Sequence, residues 1–147
     1  MPLARQALHD SGEDIHVALW PTVQQRHQIA SRHYAFEGRC YVLAAASVLR
    51  GSALPPELEP DRARLSEGLS LALRGGSAII GPDGEYVTLP LWDRPGVLMA
   101  ELDLGRVRRE SMTLDVSGHY SRPDLLSLTI RRPTRRTEGD EPTAAGT

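Results

Sequence analysis

The sequence contains no lysine. All 17 basic residues among its 147 are arginine, so no reaction carried by its own side chains can use a lysine amine. It contains one cysteine, Cys40. That excludes an intramolecular disulfide and a zinc site of four cysteines. A lone thiol fits a reducing compartment, and a cytoplasmic location is the expectation. No apolar run reaches the ~18 residues that a membrane-spanning helix needs. Met1 to Asp10 show no basic stretch followed by an apolar one, so no secretory signal is expected. Charge of one sign is also lacking, since 17 basic and 19 acidic side chains leave a net charge of −2. Neither nucleic acid nor a membrane surface is therefore expected as a partner.

What is present fits one domain of about 130 residues followed by a tail. From Arg131 to Thr147 (RRPTRRTEGDEPTAAGT) there is little to bury. Such a segment does not repay its ordering entropy, so residues 131–147 are expected to be a disordered tail. Residues 1–130 alternate helical and extended patterns. Pro2 suits a helix start, with Leu3, Ala4, Ala7 and Leu8 at helical spacing and Gly12 as a stop. Ile15 to Trp20 reads as a strand closed by Pro21. Val23 to Glu37 reads as a helix with Ile29, His33 and Phe36 on one face. Cys40 to Leu49 is apolar without alternation, as in a strand buried on both faces, although periodicity alone leaves a helix open. Gly51 to Pro60 reads as a loop and Asp61 to Leu73 as a helix broken by Gly75-Gly76. Ser77–Ile80 and Glu85–Leu89 flank Gly81-Pro82-Asp83-Gly84, a hairpin turn by composition. Val97–Leu102 and Leu125–Ile130 read as strands, with a helix between them that Asp103 caps and that runs to about Leu114. The fold class expected is α/β, or α+β layered, with a sheet covered by helices.

Three groups of residues invite chemistry. His9, Asp10, Glu13, Asp14 and His16 crowd eight positions, and imidazole with carboxylate suits divalent ions. Gly12 is expected to separate His9 from Glu13, so a polar helix end is preferred and no metal site is assigned. Cys40 follows Arg39, a neighbour that would lower a thiol pKa, yet it opens an apolar strand with no paired base. Both the nucleophile and the buried-hydrophobe readings stay open for it. His119-Tyr120-Ser121-Arg122-Pro123-Asp124 is a compact polar knot, either catalytic or a turn held by Arg and Asp, with the structural reading preferred.

Several segments resemble one family. Gly118-His119-Tyr120-Ser121-Arg122-Pro123-Asp124 is similar to the GHYSRPD element of nitrilases, a branch of the carbon–nitrogen hydrolase superfamily. Gly75 to Gly84 (GGSAIIGPDG) resembles the family's GGSxIIxPxG hairpin. Arg32 to Leu43 (RHYAFEGRCYVL) resembles its RHxAxEGRCFVL segment. Ile15 to Pro21 (IHVALWP) and Ala100 to Leu104 (AELDL) resemble two of its strands. The five occur in the family's order over about residues 2–132.

The resemblance implies a partial αββα four-layer sandwich of the nitrilase type, with residues 1–130 as the C-terminal portion of the domain. It also implies hydrolysis of a nitrile to a carboxylic acid and ammonia by a Glu, Lys and Cys constellation. There the Cys attacks the nitrile carbon, the Glu acts as base and the Lys stabilises the developing charge. The family's nucleophile lies in a Cys-Trp-Glu-Asn motif just before a Met-Pro-Leu helix, and here Met1-Pro2-Leu3 opens the chain. Cys40 aligns with the Gly-Arg-Cys position and not with the nucleophile. No catalytic residue carries over, so the chain alone is expected to be inactive. The alternative is a non-catalytic half that completes a partner carrying Glu, Lys and Cys. Trp20 and Pro21 are the candidates for substrate-pocket lining, and His119, Arg122 and Asp124 for pinning a turn. No cofactor and no metal is expected. A nitrile-type small molecule is the expected ligand if the N-terminal half is supplied. Homo-oligomers are expected too, because relatives form dimers and spirals.

Overall fold

The structure, a computed structural model, describes residues 1–21, 24–55, 57 and 71–130. Helix α1 spans Pro2–His9, with Pro2 in its first turn where the missing N–H costs nothing. It ends ahead of Gly12, whose positive φ of 72° reverses the chain into β1, Ile15–Trp20. Helix α2, Gln25–Gly38, starts where the backbone N–H of Gln24 donates to Nδ1 of His27. Arg39 closes it in the left-handed conformation, φ 50°, and the Cys40 N–H reaches back to Ala35 O.

The apolar run at Cys40–Leu49 forms two strands instead of one, β2 at Tyr41–Ala46 and β3 at Val48–Arg50. The break falls at Ser47, whose N–H turns to Pro21 O and whose carbonyl accepts from Gly75 N. A 3₁₀ turn at Gly51–Ala53 follows. Strand β4 covers Leu71–Ile80, so Leu71 to Leu73 are not the end of a helix; the rest of the expected helix, 61–70, lies outside the described residues. Gly75 and Gly76, with φ of 80° and 97°, bend β4 and do not terminate anything. A Cβ on Gly75 would sit 3.0 Å from Val48 Cγ2 and 3.1 Å from Leu91 O. That bend lets the early part of β4 pair with β3 and the later part with β2. Strand β5 is Tyr86–Trp92, and the expected hairpin turn precedes it. Gly84 N donates to Gly81 O at 2.9 Å, with Gly84 at φ 80°.

The strands form one curled sheet in the order β1-β2-β4-β3, with β5 also on β4. β1 runs parallel to β2, and the other pairings are antiparallel. The β1–β2 register pairs Val17 with Leu43 and Leu19 with Ala45. The core lies on the α2 side, where Ala35, Cys40, Val42, Ala44 and Ile80 pack together with Ala18 and Trp20 at the rim. The stripe Ile29, His33 and Phe36 does not face it. Ile29 is 68% exposed, and the helix instead buries Gln28, Ser31 and Ala35. Gln28 is satisfied there, donating to Gly76 O at 2.7 Å and accepting from the Tyr86 hydroxyl at 3.1 Å.

Helix α3, Leu104–Ser111, is capped by the Asp103 carboxylate accepting from Gly105 N at 2.9 Å, and it stops three residues short of Leu114. Val97–Leu102 and Leu125–Ile130 are not strands. Neither segment has a ladder partner among the described residues, and Val97, Met99, Leu125 and Leu126 are exposed. An apolar composition favours extended chain, but only a neighbouring edge makes it a strand. The tail, 131–147, lies outside the described residues.

Candidate functional site

The polar residues crowded between His9 and His16 come together after all. Gly12 ends the helical path, but the turn it makes folds Glu13 back under α1. Oε1 of Glu13 lies 3.6 Å from Nδ1 of His9, and its Oε2 lies 3.0 Å from Nδ1 of His16. The Tyr34 hydroxyl donates to the same carboxylate. The Tyr34 ring packs at 4.6 Å from His9 and stacks at 4.0 Å on His16. From the last turn of α2, Glu37 completes the cluster. It accepts from Arg5, approaches Nε2 of His9 at 3.4 Å and lies 3.8 Å from Nε2 of His33. His9 is sealed in, its side chain 2% exposed, with its ring against the α-carbon of Gly38.

This cluster forms one wall of a cleft of about 320 Å³ between α1, the end of α2, α3 and the segment after α3. Four of the carboxylates that line it are already engaged. Besides Glu13 and Glu37, Asp10 accepts from Gln6 and Ser117, and Asp115 accepts from the N–H groups of Ser117 and Gly118. Among the described residues, no group of three His, Cys, Asp or Glu side chains is placed to hold a metal ion. Partial burial pulls the Glu37 carboxyl upward, but the Arg5 guanidinium outweighs it and holds the group below its usual value. A carboxyl depressed by folding adds stability that is full at neutral pH and is lost as pH falls through its folded value. The Tm of the wild type should therefore fall on acidification, and Glu37→Gln should flatten that limb of a Tm-against-pH series.

Cys40 does not sit as a nucleophile. It is fully buried at the start of β2, and burial pushes its thiol up to about 12, with the Glu13 and Asp14 charges adding to the effect. Arg39 does not counter this. Its guanidinium turns away to Pro82 O at 3.2 Å and lies over the Phe36 ring at 4.3 Å.

The knot at His119–Asp124 is spread out. Arg122 and Asp124 pair through two contacts of 2.8 and 2.6 Å, both side chains more than half exposed, and His119 packs on Tyr120 at 4.5 Å. The Arg122 carbonyl accepts from Leu125 N and Leu126 N. Arg122 lines a second cleft of about 630 Å³, between α1 and residues 116–128, which His119 and Asp124 do not line. Trp20 stacks on His27 at 4.8 Å, its Nε1 buried without a hydrogen-bond partner among the described residues. Pro21 is exposed, and neither residue lines either cleft. The partnerships of Glu37, Arg5 and Tyr34 were not legible in the sequence, because Glu37 lies 28 positions from His9 and no spacing rule spans that distance.

The chain is 39% identical to an arylacetonitrilase of Trametes versicolor over 135 residues, 90% of this chain and 42% of that protein. It is 38% identical to a bifunctional nitrilase/nitrile hydratase of Lupinus angustifolius, over 89% of this chain and 38% of that protein. The chain thus spans about two fifths of the length of the curated relatives it matches. Among solved structures, a carbon–nitrogen hydrolase from Helicobacter pylori G27 superposes with a TM-score of 0.57 at 18% identity, covering 77% of this chain and 40% of that one. A CN-hydrolase superfamily protein from Xanthomonas campestris gives 0.51 at 17% identity, over 72% of this chain and 35% of that one. These two share the fold, which agrees with a partial αββα sandwich. The sequence model of the carbon–nitrogen hydrolases matches residues 1–110, three quarters of the chain, and the chain belongs to that family.

Proposed function

We propose that residues 1–130 are the C-terminal portion of a nitrilase-type hydrolase domain, whose reaction turns a nitrile and water into a carboxylic acid and ammonia. On this reading the 147-residue chain alone does not turn over. One observation carries it: the sole thiol is sealed in the core with its pKa at about 12, in a chain without a lysine. Neither attack on the nitrile carbon nor stabilisation of the resulting negative charge has an agent here. The names of the relatives support nitriles as the substrate class.

Ammonia release from aliphatic and aromatic nitriles is the assay, with the chain alone and with Cys40→Ala. No release is expected from either. Release that survives Cys40→Ala would refute this account of the chemistry, and release abolished by it would make Cys40 the nucleophile.

A second reading is favoured by the sheet face opposite α2. Val17 and Leu19 on β1 and Leu89 on β5 are 57%, 78% and 75% exposed. In this reading the chain is a non-catalytic subunit, and this face receives a partner that carries Glu, Lys and Cys. Trp20 and Pro21 then line the substrate pocket of the assembled protein, while Arg122, Asp124 and His119 hold the turn after α3.

A further inference from the structure

We propose that residues 97–102 are an open strand that takes its ladder partner from the N-terminal portion of the hydrolase domain; this rests on residues 1–130 being the C-terminal portion. Residues 95–103 contain no turn, bend or helix. Along 97–102 exposure alternates: Val97, Met99 and Glu101 are exposed, while Leu98, Ala100 and Leu102 are half-buried. A two-residue period is that of a strand with one face on a body. Leu125–Ile130 is apolar too but is exposed throughout, with no such alternation. Both ends of the segment are pinned. Asp93 N donates to Arg74 O at 2.8 Å, and the Arg74 guanidinium pairs with the Asp93 carboxylate. A Cβ on Gly96 would sit 2.7 Å from Leu91 Cδ2, so the chain lies directly against β5 there. At the other end the Tyr41 hydroxyl donates to Asp103 O at 3.1 Å. Leu91 pairs with Ser77, which sits beside Ala46 at the end of β2, whereas Tyr41 begins β2. The segment therefore runs back along the length of the sheet. Yet among the described residues none of the backbone N–H and C=O groups of 94–102 bonds to backbone.

The occupant has to supply two things. One is an extended backbone for an edge whose six residues carry a single charge, Glu101. The other is apolar cover for Val97 and Met99, which are 86% and 84% exposed. A second copy of this chain supplies only the first. Cross-strand neighbours share a face. In a two-fold antiparallel pair both bodies would lie on the Leu98 side, and Val97 and Met99 of both copies would stay open to water. The N-terminal portion of the domain supplies both. The relatives carry about three fifths of their length outside the region this chain matches, enough for a strand on the edge and a layer over it. Gly96 also places the edge beside β5, whose Leu89 belongs to the open sheet face, so the two contacts are continuous.

The test is amide hydrogen exchange of the full chain, alone and co-purified with the N-terminal portion of the Trametes versicolor arylacetonitrilase. In the dilute chain alone, the 97–102 amides should exchange at close to the rate of unstructured chain. In the complex, alternate amides along the segment should slow at least about tenfold, because only every second N–H of a strand points to one neighbour. Val97→Glu with Met99→Glu should weaken the complex about tenfold or more in Kd. The same change should leave the Tm of the chain alone in place, since neither side chain is buried. Protection of 97–102 in the dilute chain alone would overturn the proposal. So would protection that grows with the concentration of the chain alone, which would give the edge to a second copy. A complex in which 97–102 exchanges as before would overturn the strand pairing and leave the subunit reading standing, whereas failure of the two to co-purify would sink both.

Discussion

In size-exclusion chromatography the chain alone should elute as self-associated species, and a polypeptide supplying the N-terminal portion of a relative should convert it to a discrete complex. Among the described residues, the sheet is covered on one face only. α2 lies over Val42, Ala44 and Ile80, whereas the alternate residues Val17, Leu19 and Ala45 point to the other side and are exposed. Each Val or Leu brought from exposure to full burial there contributes about 1.5–3 kcal/mol. β1 adds an open edge, since among the described residues β2 is its single neighbour in the sheet. Leu19→Glu with Leu89→Glu should shift the chain toward monomer with little change in Tm, because neither side chain is part of the core. A sharp monomer peak from the unmodified chain with cooperative unfolding would mean that this portion needs no cover, and the partial-sandwich reading of its assembly would fall.

Gly38→Ala should be the most damaging single methyl in the α1–α2 junction. A Cβ built on Gly38 falls 2.3 Å from both Cε1 and Nδ1 of His9, well inside van der Waals contact. The ring is packed against Tyr34 and flanked by Glu13 and Glu37, so moving it disturbs those contacts. Overpacking of this kind costs about 1–3 kcal/mol. For a domain near 150 residues each kcal/mol lowers Tm by about 2–4 °C. The double variant Gly38→Ala with His9→Ala should recover part of the loss, because it removes the obstructing ring; a double-mutant cycle reads that coupling directly. If the two losses simply add, the contact between Gly38 and His9 is not what requires the glycine.

The sequence by itself determined the elements whose signals are local. Pro2 and Gly12 bracket α1, Pro21 closes β1, Gly81 to Gly84 turn the hairpin, and Asp103 caps α3, because each acts on its own backbone or within four residues of it. The family was legible for a related reason, since the segments that carry it are short and ordered along the chain. Tertiary structure alone decided where apolar residues were spent. Ile29 and Phe36 make the better helical stripe, yet α2 buries Gln28, Ser31 and Ala35, because a close approach to Ala44 and Ala78 on the sheet favours small side chains and Gln28 finds both its partners there. Val97–Leu102 and Leu125–Ile130 have strand-like composition but no adjacent edge among the described residues, and a β-ladder requires two strands. The His9 cluster was decided in the same way. Its near half, Glu13 and His16, is visible in the sequence, while Glu37 and Gly38 arrive from the far end of α2, and it is their arrival that turns a polar helix end into a charged junction around a buried histidine.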